Sequence, residues 1–374
     1  MVFLQISFFL TLLVLTLFGS HYFLYASLIK FFPFLYNYKK LLFITLFLLA
    51  ISFILTSILA HVREDLATRA SYLLSGFWLG FLTNLVLAIL IISFFNWLFK
   101  LAGINFNLPL IALIFFSLAF VFSLYGSWNA FQPRLKNITV AIPNLPENWQ
   151  DKKIVQLADV HLGLIYRKDF LQNIIDQINP LDPELVLITG DFFDGMDGKL
   201  DLLISPLNNL KTAQGTFFVN GNHETYLGTE KTIATLEKNK VQILKDQVVD
   251  ISGLKLIGIG YPERDLKKDI IITLQELKPQ FFGKPNILLY HSPTNIQQFA
   301  ENGVNLQLSG HTHLGQIFPF NLITKLIYHG YDYGLHTINN YTIYISSGLG
   351  TWGPAMRTNS TPEIVVITLK NKTN

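Results

Sequence analysis

Residues 153–161, KIVQLADVH, join a short apolar run to a loop that carries an acid and a histidine. The run has the length of a strand and is rich in aliphatic residues, which predicts a buried strand that ends near Asp159. In the pair Asp159-x-His161 the two side chains are two residues apart, so both reach the same side of an extended loop. The stretch therefore predicts a strand that presents two polar side chains at its carboxyl end.

The same arrangement recurs further along the chain. Apolar runs at about 184–189, 216–219, 287–290 and 304–308 each lead into a polar loop, and runs at 342–345 and 364–369 are also strand-like. The four further polar loops are Gly190-Asp191-x-x-Asp194, Gly221-Asn222-His223-Glu224, His291, and Gly310-His311-x-His313. With helices predicted at about 168–178, 229–238 and 293–302, the alternation indicates a layered α/β or α+β sandwich. We expect the loops at the strand ends to meet in one crevice.

Residues 1–130 differ sharply in composition, because they hold only six of the 28 basic and two of the 25 acidic residues. Four stretches, at about 2–26, 41–60, 72–98 and 108–125, are long and apolar enough to cross a bilayer. We therefore predict an all-α transmembrane domain with four spans over 1–130. A connecting segment with a first strand region follows over 131–151, and the sandwich domain occupies 152–374.

These spans predict a multi-pass protein of the inner or plasma membrane. An even number of spans places the N-terminus and the C-terminal domain on the same side, but four basic residues flank each face, so the side stays undetermined. No ionisable residue lies clearly within a span, which favours anchoring, or shaping a lipid-accessible entrance, over transport. The nearly balanced charge after residue 130 disfavours nucleic acid as a partner.

The polar loops have the composition of a metal site. Five of the nine histidines lie in them, and the chain has no cysteine, which excludes thiolate ligands and a cysteine nucleophile. Imidazole and carboxylate ligands suit divalent Mn, Fe or Zn. Each loop alone is typical of a simple turn, whereas five in this order at strand ends indicate a shared site.

In order and content, the five motifs resemble the signature of the calcineurin-like metallophosphoesterase superfamily, over about Lys152 to Leu369. The apolar N-terminal block, and the stretch from Ser347 through Arg357 to Ile364, look like the transmembrane branch of that superfamily. This branch includes proteins similar to UDP-diacylglucosamine pyrophosphatases of lipid A synthesis. The resemblance implies two sheets flanked by helices, and Gly195, where protein phosphatases of the superfamily have Arg, disfavours a phosphoprotein substrate.

The resemblance also implies roles for individual residues. One metal ion would be bound by Asp159, His161 and His313. A second would be bound by Asn222, His291 and His311, with Asp191 bridging both. His223 would be the catalytic histidine that binds no metal, with Asp194 as its orienting partner. Arg357 is a weaker candidate for a substrate contact, and a structural salt bridge is an equally good interpretation of it.

Together these inferences predict a membrane-bound phosphoesterase with two divalent metal ions. A metal-bridging hydroxide would attack phosphorus, and His223 would supply a proton to the leaving oxygen. The predicted partners are membrane lipids and a phosphorylated small molecule, with a lipid-linked substrate such as UDP-2,3-diacylglucosamine as the specific hypothesis. The alternatives are a general membrane-anchored phosphodiesterase or phosphatase for soluble or cell-envelope substrates, and a non-catalytic membrane sensor or scaffold.

Overall fold

The computed structural model describes residues 2–195, 200–263 and 268–372. Its contacts divide the chain into two compact units, one of Met1–Trp128 with Gly353–Met356 and the other of Asn129–Trp352 with Arg357–Asn374. The domain limits inferred from composition stay predictions.

The first unit contains four long helices: α1 (Val2–Phe31), α2 (Lys39–Val62), α3 (Leu66–Leu101) and α4 (Leu108–Asn129). In the described part of the chain, these four are long and apolar enough to cross a membrane. The predicted helical region of four apolar helices is therefore confirmed. The helices extend beyond the predicted apolar stretches, since hydropathy does not locate helix ends. The Asp65 side chain, for example, caps α3 by accepting a hydrogen bond from Thr68 N at 2.8 Å.

Polar side chains join α3 to its neighbours within this unit. Trp78 on α3 donates through Nε1 to Nε2 of His21 on α1 at 3.0 Å. The buried Asn84, also on α3, donates to Ser123 Oγ on α4 at 2.8 Å. Such bonds satisfy polar groups in an apolar environment and contribute to helix association. Asn84, the main polar residue in the middle of a predicted span, thus has a structural partner.

Twelve strands lie among the described residues of the second unit. They are β1 (Arg134–Ile142), β2 (Lys153–Leu157), β3 (Leu185–Thr189), β4 (Thr216–Val219), β5 (Val241–Ile243), β6 (Gln247–Ile251), β7 (Leu254–Gly258), β8 (Asn286–Leu289), β9 (Leu306–Ser309), β10 (Gly334–Ile338), β11 (Tyr341–Ile345) and β12 (Glu363–Asn371). They form two six-stranded sheets, in the orders β1-β12-β2-β3-β4-β5 and β10-β11-β9-β8-β7-β6. Strands β2, β3 and β4 are parallel, as are β7, β8 and β9, so each sheet brings several carboxyl ends to one edge.

Seven shorter helices accompany the sheets in the described residues. They are α5 (Lys168–Ile178), α6 (Leu200–Ile204), α7 (Asn222–Leu227), α8 (Thr229–Glu237), α9 (Ile270–Phe281), α10 (Ile296–Glu301) and α11 (Phe320–Ile327). On β8, Ile287 and Leu289 join the core between the sheets, whereas Leu288 joins a second cluster with residues of α9 and α10. This alternation is that of a strand buried on both faces. The predicted sandwich of two sheets flanked by helices is confirmed.

The match between predicted and observed elements is closest where the strands are fully buried. The run predicted at 184–189 corresponds to β3, whose five residues are all buried. By contrast β6, which the sequence did not predict, is partly exposed and lacks a clear apolar pattern. The third motif was predicted as a loop, but its Asn222 is the first residue of helix α7. The observed helix α10, Ile296–Glu301, is shorter than the helix predicted at 293–302.

Candidate metal centre

The five motifs come together at the carboxyl ends of β2, β3 and β4 in one sheet and of β8 and β9 in the other. Among the described residues, three sets of side chains have potential ligand atoms that lie within 4.8 Å of one another inside each set. These sets are Asp159, His161 and His313; Asp191, His291 and His311; and His161, Asp191 and His223. The first two sets agree with the grouping implied by the family resemblance, and Asp191 belongs to two of the three.

The backbone at this edge has an uncommon conformation. Five of the predicted ligands have positive φ angles: Asp159 (50°), His161 (52°), Asp191 (49°), His311 (74°) and His313 (50°). A residue other than glycine in this region costs about 1–3 kcal/mol and persists only where the surrounding structure fixes it. Such conformations cluster at functional sites, and here they turn the side chains of consecutive motifs toward one another.

Two glycines allow the carboxylates to approach the backbone closely. A Cβ atom at Gly310 would overlap the Asp159 carboxylate, and one at Gly221 would overlap that of Asp191. With the glycine present, Asp159 accepts a hydrogen bond from the backbone N–H of His311 at 3.0 Å. The glycines before the motif residues therefore provide space for direct contacts between motifs.

In the first set, the Nε2 atoms of His161 and His313 lie 3.1 Å apart, and His313 Nε2 lies 3.4 Å from Asp159 Oδ1. All three side chains are buried. Burial lowers the pKa of both imidazoles well below the usual value, so both rings are neutral. Burial also raises the pKa of Asp159 to about 7. Neutral imidazole is the form that binds a metal ion.

In the second set, Asp191 Oδ2 lies 3.1 Å from His291 Nε2. Burial opposes charge on both groups, yet their attraction raises the pKa of His291 to about 10 and lowers that of Asp191. Burial lowers the pKa of His311 to about 4, which keeps its ring neutral. His291 Nδ1 donates to the backbone oxygen of Thr189 at 2.8 Å, and this bond directs Nε2 toward Asp191.

Asn222 has the surroundings expected of a metal ligand. Its Oδ1 atom is buried and has no hydrogen-bond partner. The amide nitrogen is used separately, because it donates to the hydroxyl of Tyr226 at 3.3 Å. A buried oxygen without a partner is destabilising unless a cation or water compensates it. With the neutral imidazoles and two carboxylates beside it, this oxygen completes a donor set that fits divalent metal ions.

His223 contacts Asp194 through the backbone of Asp194. Its Nδ1 atom donates to the backbone oxygen of Asp194 at 2.6 Å, whereas the Asp194 carboxylate accepts from the backbone N–H of Leu164 at 3.3 Å. Asp194 thus orients the ring through its main chain, because its side chain lies against Gly163. The other ring nitrogen, Nε2, lies 4.0 Å from Asp191 Oδ2. The distances alone leave His223 able to act as a ligand or as a proton donor.

Arg357 lies next to His313 of the cluster. Its side chain is fully buried, with Nη1 donating to Ser360 Oγ at 2.7 Å and Nη2 donating to the backbone oxygen of Gly350. Nη2 also lies 3.2 Å from His313 Nδ1. These contacts favour a supporting role for Arg357, and the substrate contact stays a prediction.

Glu224, the last residue of the third motif, has a structural role that the motif alone does not indicate. Its buried carboxylate accepts backbone hydrogen bonds from Gly221 (2.7 Å), Asp191 (3.0 Å) and Phe193 (3.1 Å). Burial raises the pKa of Glu224 to about 7, and these backbone donors oppose that shift. The side chain ties the second motif to the third. The sequence does contain a signal for this role. Glu224 lies three residues after Gly221, the spacing of a capping box at the start of a helix.

Glu363 is a second positioning residue that sequence reasoning missed. Its buried carboxylate accepts from the hydroxyl of Tyr344 and from the backbone N–H of Ser347, each at 3.0 Å. Three residues after Ser347, the backbone N–H of Gly350 donates to the backbone oxygen of Asp159 at 2.6 Å. Glu363 therefore holds the turn that supports the first motif. No local pattern gave this role, since the partners lie far apart in the chain.

The fold and this cluster define a class: a sandwich domain whose strand-end loops carry a histidine and carboxylate site suited to metal-dependent hydrolysis. The family model for calcineurin-like phosphoesterases matches residues 152–315. The chain is 37% identical to a metallophosphoesterase of Helicobacter pylori, over 69% of this chain and 71% of that one. It is 33% identical to a metallophosphoesterase of Campylobacter jejuni over the full length of both.

A transmembrane protein with metallophosphoesterase domain from Bos taurus is 32% identical, over 67% of this chain and 60% of the bovine protein. The chain belongs to the calcineurin-like metallophosphoesterase family, and this membership supports a metal-dependent phosphoester hydrolase. Together with the four apolar helices, the relatives named as transmembrane proteins indicate a membrane protein.

The position of Glu224 yields a stability prediction. We expect Glu224→Gln to destabilise the domain by about 1–3 kcal/mol, because the amide turns a donor toward backbone N–H groups that lose their acceptor. For a domain of this size, this loss lowers the midpoint of thermal unfolding by about 2–12 °C. The matched control is Glu230→Gln at an exposed position of α8, where we expect no more than about 0.5 kcal/mol. Equal midpoints for the two variants would contradict the role of Glu224.

Proposed function

We propose that the protein is a membrane-bound phosphoesterase that hydrolyses a phosphoester or pyrophosphate bond in a lipid-linked substrate. The observation that carries the proposal is the convergence of all five motifs in one largely buried cluster of imidazoles and carboxylates, in which His161, His311 and His313 are neutral. A non-catalytic sensor or scaffold has no need for this complete set of donors. We therefore favour an enzyme over a scaffold.

The residues divide into two metal-binding sets that share one carboxylate. Asp159, His161 and His313 would hold one ion, and Asn222, His291 and His311 the other, with Asp191 contributing to both. Two divalent ions, when bound, neutralise phosphoryl oxygens and make a water nucleophilic near neutral pH. The protein contributes the fixed geometry, since Glu224 and Glu363 hold the loops that carry these ligands.

His223 is the proposed proton donor to the leaving oxygen. Its Nδ1–H is engaged by the backbone oxygen of Asp194, so the proton available for transfer is the one on Nε2. The side chain is 19% exposed, whereas those of His161 and His313 are almost fully buried, so a substrate has access to this ring. A histidine oriented in this way acts as a general acid when it is protonated.

The membrane helices support a lipid-linked substrate. One span already gives effectively irreversible anchoring, and four helices of this length exceed that need. The proposed topology is multi-pass in a cell membrane, with the N-terminus and the hydrolase domain on the same side. UDP-2,3-diacylglucosamine has both a pyrophosphate bond and two acyl chains, which makes it the particular substrate that we propose from the family resemblance.

For His223→Ala we expect kcat to fall by roughly 10²–10⁴-fold, the range typical of a lost general acid. The metal content per chain should stay at the wild-type value, as measured by elemental analysis of the purified protein after dialysis. His336→Ala, which removes an imidazole outside the motifs, is the control and should retain full activity. If His223→Ala instead lowers the metal content, His223 is a ligand and the assignment fails.

The lipid-linked substrate is tested with the full-length protein in detergent. We expect kcat/KM for a diacylated nucleotide-sugar pyrophosphate to exceed that of its water-soluble, deacylated analogue by at least about tenfold, since each buried methylene contributes about 0.8 kcal/mol. Both activities should disappear on chelation and return with Mn²⁺. Equal kcat/KM values for the two substrates would reject the lipid preference and favour a phosphoesterase for soluble substrates.

A further inference from the structure

Helix α11 has its apolar face turned outward. Its five apolar residues have side chains that are 44–77% exposed: Phe320, Leu322, Ile323, Leu326 and Ile327. At about 100° per residue, they occupy one continuous arc of about 160° around the helix. A helix on the surface of a water-soluble domain normally buries such an arc against the core. Helix α11 has no buried residues.

The polar arc of the same helix contacts the domain. Thr324 Oγ1 donates to Asp332 Oδ2 at 3.0 Å. The backbone oxygen of Asp332 in turn accepts from the hydroxyl of Thr312 at 2.6 Å, and Thr312 lies between the two histidines of the last motif. The polar side of α11 is thus hydrogen-bonded to the domain, whereas the apolar side makes no contact that buries it.

The segment 357–360 forms hydrogen bonds both with Asn129 and with Phe318, which lies just before α11. Asn129, the last residue of α4, donates through Nδ2 to the backbone oxygens of Arg357 at 3.0 Å and Ser360 at 2.9 Å. Between them, Thr358 Oγ1 accepts from the backbone N–H of Phe318, two residues before α11, at 3.1 Å. Helix α4 is long and apolar enough to cross a membrane. Its last residue is thus joined through the segment 357–360 to the residues that precede α11.

From this position and polarity, we propose that α11 lies in the head-group layer of the membrane and buries its apolar arc among the lipid acyl chains. The only charged residue of the helix is Lys325, on the polar arc, where its charge complements anionic head groups. Trp352, which is 61% exposed, is joined to the residues before α11, since Gln316 Nε2 donates to its backbone oxygen at 3.3 Å. Tryptophan is enriched at this depth of a membrane.

This interaction bears directly on the candidate metal centre. Helix α11 begins seven residues after His313, and at its other end the ring of Tyr328 lies 6.2 Å from that of His311. A lipid-inserted α11 holds the last motif at the membrane surface, where a bond in a lipid head group is accessible. The proposal concerns lipid contact alone, so it does not depend on the substrate proposed above.

The absence of cysteine allows a direct test in the full-length chain. A single cysteine is introduced as Leu326→Cys, labelled with bimane, and the protein is reconstituted into vesicles of phosphatidylcholine and phosphatidylglycerol. The measurement is quenching by lipids that carry a nitroxide on the acyl chain. We expect quenching at least about twofold stronger than for Glu276→Cys, an exposed position on α9. Lys325→Cys, on the polar arc of the same helix, is the matched control and should be quenched less than Leu326→Cys.

The outcome separates lipid from protein as the occupant of this face. A blue-shifted emission together with acyl-chain quenching at position 326 supports the proposal. A blue shift without such quenching means that another part of the protein or a second copy covers α11, and this result overturns it. Emission typical of water, with quenching equal to that at position 276, overturns it as well. Because the readout is fluorescence, failure here is distinct from failure of the proposed activity.

Discussion

Asp159 and Asp191 place two buried carboxylates among histidine rings at the edge where the two sheets meet. Such groups are unfavourable in an apolar environment unless cations or hydrogen bonds compensate them. His291 pairs with Asp191, and burial raises the pKa of Asp159 to about 7. Much of the surrounding structure serves to hold these groups in place: strained backbone at the ligands, glycines that permit close approach, and the carboxylates of Glu224 and Glu363.

The sequence predicted the features that depend on local pattern. Buried strands ending in polar residues are recognisable one at a time, and parallel strands bring those ends together, so the meeting of the motifs followed from local pattern. The assignment of individual ligands came from the family resemblance. The orientation of side chains did not follow. Whether Asp194 contacts His223 through its carboxylate or its carbonyl depends on the backbone of the turn. The burial of Arg357 and the support given by Glu363 depend on residues distant in the chain, which no local pattern records.

Helix α11 is another case in which the orientation of side chains does not follow from local pattern. This helix was not among those predicted from the sequence, and the spacing of its apolar residues does not say which arc faces the domain. In the structure the polar arc contacts the domain through Thr324, and the apolar arc is exposed. Insertion of α11 into lipid, as proposed, would give the hydrolase domain a membrane contact in addition to its chain connection to the four apolar helices. It gives a physical reason why a metallophosphoesterase site and a membrane domain occur in one chain.

The central proposal is that two metal ions share Asp191, which, like His161, belongs to two of the three sets, whereas Asp159 belongs to one. The most direct measurement is the metal content of purified Asp191→Asn and Asp159→Asn proteins after dialysis, beside the wild type. The account predicts about two ions per wild-type chain, a loss confined mainly to one ion for Asp159→Asn, and a larger loss for Asp191→Asn. Equal losses in the two variants, or a greater loss for Asp159→Asn, would contradict a shared carboxylate.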